Sequence, residues 1–158
     1  MTALFVPVAL ERARALRDGE DLGALPAYAA GRELREAHGL GESDDEEAGF
    51  VALGYAGLAA LLDDAGPRVV LAAEAGTAQV RPLGGDFGEV EVVGLRWNQV
   101  TALFSDEPEA DVDLAEARRL SAGRTLADLA DDDALVGLVD RWDLLWFAPE
   151  ELDAVRVP

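Results

Sequence analysis

The chain has 158 residues, half of them apolar, with 32 acids against 13 basic residues and a formal charge of −19. That length fits a single globular domain, residues 1–158, burying roughly 70% of its unfolded surface. The charge repels phosphate backbones and anionic membrane surfaces, so neither direct nucleic-acid binding nor membrane attachment is expected.

There is no lysine, isoleucine or cysteine and only one asparagine, a pattern of GC-rich coding that offers no disulfide framework. The opening MTALFVPVALERAR has no basic leader before its apolar run, and Glu11 follows soon after. This fits neither a signal peptide nor a membrane span. A cytoplasmic location is expected.

TALFVPV (2–8) reads as a strand and LERARALRDG as a helix that brings Leu10, Ala13 and Leu16 to one face and stops at Gly19. An extended piece around Tyr28 and a short helix carrying Leu34 and Ala37, ended by Gly39, come next. In SDDEEAGF, Ser43 is expected to cap a helix with Glu46 completing a capping box, and the acids 44–47 suit the helix dipole. The spacing predicts a face of Phe50, Leu53, Gly54, Gly57, Leu58, Leu61 and Leu62, with Pro67 after the helix.

RVVLAAEA (68–75) is a continuous apolar run that predicts a strand covered on both faces. EVEVV (89–93) alternates, placing Val90 and Val92 inward, and the Gly- and Pro-punctuated segment between the two reads as a loop. A helical turn is expected at 95–99, then a strand at TALFS (101–105). A helix with Leu114 and Ala117 inward follows, ending before Gly123. TLADLADDDALVGLVDRW reads as a capped helical stretch, boxed by Thr125 and Asp128, with residues 131–133 as exposed charge or a helix start and Leu135, Leu138, Val139 and Trp142 on one stripe. LLWFA (144–148) predicts a strand buried in the sheet, with a partly exposed aromatic surface as the alternative, and Pro149 opens a last short helix.

The expected architecture is α+β: one domain with a mixed sheet of about five or six strands and helices packed against it. Strands 89–93 and 101–105 are too close together for a long crossover helix, which argues against a doubly wound fold. TALF occurs at 2–5 and 101–104, a coincidence that Ala- and Leu-rich composition readily produces.

The chain is poor in catalytic side chains. It lacks a thiol nucleophile, a lysine for a Schiff base or phosphate loop, and any nucleophile elbow around Ser43, Ser105 or Ser121. Its one histidine, His38, stands at a predicted helix end, where capping or surface duty is expected. No cofactor fingerprint is present, and no cofactor is expected. Carboxylates leave room for a divalent-metal site, with Glu74, Asp106 and Glu107 as candidates because ligands gather at strand ends. DEPEADVD lacks the glycine and the final acid of a calcium loop. For a protein partner the candidates are Trp97 and Arg96 in LRWNQ, together with Trp142.

The whole pattern resembles a family of short, acidic, functionally uncharacterised actinobacterial proteins. The resemblance rests on FVPV leading into a helix, SDDEEAGFVALGYAGLAALL, RVVLAAE and above all the closing DLLWFAPEEL, while LRWNQ departs from it. It implies a cytoplasmic actinobacterial protein and carries over no catalytic residue. The leading functional expectation is a non-enzymatic interaction or regulatory module with a protein partner. The alternatives are a metal-dependent enzyme or metabolite-binding protein, and a nucleic-acid mimic that occupies a basic protein's groove. Oligomeric state leaves no mark in the sequence.

Overall fold

A computed structural model describes residues 1–63 and 66–155. Seven strands form one sheet: β1 (Thr2–Pro7), β2 (Leu25–Tyr28), β3 (Val69–Ala75), β4 (Val80–Pro82), β5 (Glu89–Val92), β6 (Val100–Ser105) and β7 (Leu145–Phe147). Their order is β4-β5-β2-β1-β3-β6-β7 and every neighbouring pair is antiparallel. The expected α+β class holds, but the sheet is larger than expected and is antiparallel, not mixed. Strand direction depends on where each connection lands, and local periodicity does not encode that. The extra strand, β4, lies in the segment read as a loop; three residues ending in Pro82 are too few to show a period of two.

Among the described residues six α-helices accompany the sheet: α1 (Leu10–Arg17), α2 (Arg32–Ala37), α3 (Asp45–Ala59), α4 (Asp111–Ser121), α5 (Leu126–Ala130) and α6 (Asp133–Val139). Alternation along β3 shows how the two faces are covered. Val69, Leu71, Ala73 and Ala75 join a core with Leu10, Ala13 and Leu16 of α1, while Val70 faces Ala48, Ala52 and Ala56 of α3. A third cluster, built from Leu114, Ala117, Leu129, Leu135 and Val139, holds α4, α5 and α6 together and reaches the end of α3 through Leu61.

Two expectations about α3 need correction. Ser43 does not cap it: Asp44 occupies the cap position without a side-chain cap bond, because its Oδ2 instead accepts from the Gly41 N–H at 2.7 Å. The buried stripe is only in part the one expected: Gly57 and, just past the helix, Leu61 are buried, whereas Phe50, Leu53, Gly54, Leu58 and Leu62 are not. Ala48, Ala52, Ala56 and Gly57 face inward and Phe50 is 74% exposed. Small residues let the helix axis approach the sheet closely, and that proximity outweighs the larger burial that Phe50 would give.

The expected stretch 125–142 is two helices. Asp132 caps α6 by accepting from the Leu135 N–H at 3.1 Å, while the Thr125–Asp128 box opens α5 as expected. β7 is a three-residue edge strand, not a buried one: Leu145 is 39% and Trp146 61% exposed. Among the described residues its one neighbouring strand is β6, so it lies at the end of the strand order.

Candidate functional site

Arg68 immediately precedes β3 and Asp106 immediately follows β6. Because β3 and β6 pair antiparallel with Val69 opposite Ser105, the two charged residues meet at the same end of the sheet. Nη2 of Arg68 donates to Asp106 Oδ1 at 2.7 Å, Nε donates to Oδ2 at 3.0 Å, and the Arg68 backbone N–H also donates to Oδ2 at 2.9 Å. Ser105 Oγ donates to the Arg68 carbonyl at 2.7 Å, which fixes the corner from the other side. Both side chains of the pair are buried. A pair taken so far out of water is held by forked hydrogen bonding, which recovers the desolvation cost of both ions.

Above this pair lies a groove of about 630 Å³. One wall is α3, contributing Phe50, Leu53 and Leu58; the other is the link from α6 to β7, contributing Trp142 and Leu144. Arg68 and Gly57 also line it. Trp142 is held in place from both ends, since its indole N–H donates to Asp113 Oδ2 at 2.8 Å and its carbonyl accepts from Arg68 Nη2 at 3.3 Å. His38 and Tyr55 stand at the side of the groove, with Nε2 and Oη 2.8 Å apart, and the Tyr55 ring packs edge-on against Phe87 at 4.8 Å. Burial, with Asp86 nearby, raises the Tyr55 hydroxyl above the usual tyrosine range.

Phe50 links the groove to a second recess at the start of α3, lined by Ser43, Asp44, Glu46 and Glu47. Asp140 and Asp143 add acids to the opposite side. The surface is therefore an apolar trough with negative ends. It offers contact area, charge and fixed donors.

The residues singled out from sequence are scattered. Trp142 lines the groove. Trp97 is half-buried against the core that contains α1, Arg96 is exposed beside it, and neither is among the groove residues. Glu74 is exposed at the far end of β3, whereas Asp106 is buried against Arg68 at the opposite end. Glu107 stands just before a 3-10 turn, Pro108–Ala110. Among the described residues no group of three or more His, Asp or Glu side chains is arranged to hold a metal ion.

The sequence reading passed over Arg68. It could have been found: an arginine abutting one end of a largely apolar strand and an aspartate abutting the end of another are brought together if the two strands pair antiparallel.

The profile of a family of unknown function, DUF6912, matches residues 2–155. The chain belongs to that family. No curated protein and no solved structure matches it. The DUF6912 match spans all seven strands and every residue of the groove, so the groove belongs to the region the family defines. Among the described residues, no helix is long and apolar enough to cross a membrane.

Proposed function

We propose that this chain is a non-enzymatic protein-interaction module whose docking surface is the groove between α3 and the α6–β7 link. The observation that carries the reading is Phe50, an aromatic ring left 74% exposed on the rim that the apolar groove shares with the acidic recess. Charge complementarity defines the occupant: a partner-protein segment with apolar side chains along one face and Arg or Lys where it meets residues 44–47. Charges of opposite sign orient such a segment as it arrives, and apolar burial in the trough supplies affinity. The composition and the closing DLLWFAPEEL motif support a cytoplasmic, actinobacterial setting for this role.

Gly54 gives a direct way to test it. It is exposed on α3, lines the groove, and has no heavy atom within 4 Å of where a Cβ would stand, so Gly54→Trp fills the trough without disturbing the fold. The experiment is capture of partners from the native cytoplasm by the parent chain, by Gly54→Trp and by Trp97→Ala, with the retained peptides sequenced after limited digestion. The expected result is a basic, amphipathic segment that is lost with Gly54→Trp and kept with Trp97→Ala. Capture indifferent to Gly54→Trp would overturn the assignment.

A further inference from the structure

Two of the three guanidinium nitrogens of Arg68 are committed. Nε and Nη2 donate to Asp106, and Nη2 also donates to the Trp142 carbonyl. Nη1 has no hydrogen-bond partner among the described residues, although the side chain is only 3% exposed. It is not among the polar atoms sealed from solvent, so it keeps an opening. A Cβ built on Gly57 would stand 3.3 Å from Nη1 and 3.4 Å from Leu144 Cδ1, and all three residues line the groove. The spare amino group therefore lies at the groove floor, between α3 and Leu144.

Gly57 supports the same placement. Glycine in a helix interior weakens the helix relative to alanine, yet here any larger residue would press on the amino group. Buried donors in folded proteins are almost always paired, so a donor left over at the base of a trough marks where an occupant brings its own acceptor.

We propose that Nη1 of Arg68 is the recognition donor of the groove and receives a neutral carbonyl oxygen, from the backbone or a carboxamide side chain of the docked segment. This rests on the reading of the groove as a docking site. A carbonyl fits better than a carboxylate for two reasons. Asp106 already compensates the guanidinium charge, and Asp140 and Asp143 line the same groove, so a further anion meets repulsion with little net attraction.

The test uses the full chain and two probes that share an isobutyl side chain: N-acetyl-leucine N-methylamide, which offers neutral carbonyls, and 4-methylpentanoate, which offers a carboxylate. Nitrogen-resolved NMR follows the Arg68 guanidinium, the Trp142 indole N–H and the Leu144 methyls during titration. The amide is expected to shift all three groups, and the carboxylate to shift Arg68 less. Gly57→Ala should suppress the Arg68 response while Trp142 still responds, since alanine is a good helix former and the fold is retained. Arg68→Lys, which supplies a charge to Asp106 but no second amino group, should weaken binding of the amide in the same way.

Movement of Trp142 and Leu144 with Arg68 silent would overturn the donor assignment and leave the docking groove standing. A larger Arg68 shift with the carboxylate would overturn the preference for a neutral acceptor. Silence of all three groups would overturn both the inference and the groove reading on which it rests.

Discussion

Asp106→Ala leaves the Arg68 guanidinium buried with no counter-charge, so a loss of about 3–5 kcal/mol of folding stability is expected. Urea denaturation measures it, and the double variant with Arg68→Met should recover part of the loss because no lone charge then stays buried. Tyr28 makes a second expectation at this scale. Burial, with Glu89 and Asp63 nearby, pushes its hydroxyl from 10.0 up to about 12. The folded chain thus holds this proton more tightly than the unfolded chain, so the associated stability is complete below pH 10 and falls as the pH rises toward 12. Absorbance of tyrosinate during alkaline titration should show no group ionising at the ordinary tyrosine value before unfolding, since Tyr55 is raised as well. Asp106 was noted as a possible ligand because it follows a strand, but its partner could not be named without the β3–β6 pairing. Trp97, between polar neighbours in the sequence, is partly buried against the core, outside the groove.

The elements were far easier to read than their faces. β1, α1, β3, β5 and β6 stand close to where apolar runs and alternation put them, because each carries a period that its own packing enforces. α3 starts where expected and passes into a 3-10 turn at Ala60–Leu62, but the side it buries is only partly the one expected. It is apolar nearly all round, so periodicity could not select a stripe, and the choice fell to the distance at which a helix can lie on a sheet. The alanine stripe therefore carries a measurable expectation. Ala52→Leu overpacks the interface with Val70 and its neighbours and should cost about 1–3 kcal/mol. Phe50→Ala, on the exposed side, should stay within about 0.5 kcal/mol of the parent chain. Thermal unfolding of the two variants decides the matter, and a large loss from Phe50→Ala would contradict the packing described here. β7 was misjudged for a related reason. Leu-Leu-Trp-Phe has the composition of an interior strand, but a strand at the edge of the order keeps one side open whatever its composition.

At the scale of the molecule, 32 acids against 13 basic residues make self-repulsion a standing cost of compactness. Salt should relieve it: between about 10 mM and about 150 mM the screening length falls from roughly 30 to 8 Å. The midpoint of thermal unfolding is therefore expected to rise over that range, and a midpoint that falls would mean that favourable ion pairs outweigh the repulsion. The strand order has a further consequence for how the chain is made. β1 is made before the other six described strands and takes the middle of the sheet, β2 and β3 settle on its two sides, and the β4–β5 pair, β6 and β7 each join an edge that is already present. No strand has to be inserted between two that have already paired. The sheet can assemble outward during synthesis, and the wall formed by Trp142 and Leu144 comes late, after β1 to β6 and before β7. A chain whose translation stops before that wall can still hold much of its sheet while offering no trough, so the groove exists only once synthesis has run through residue 144.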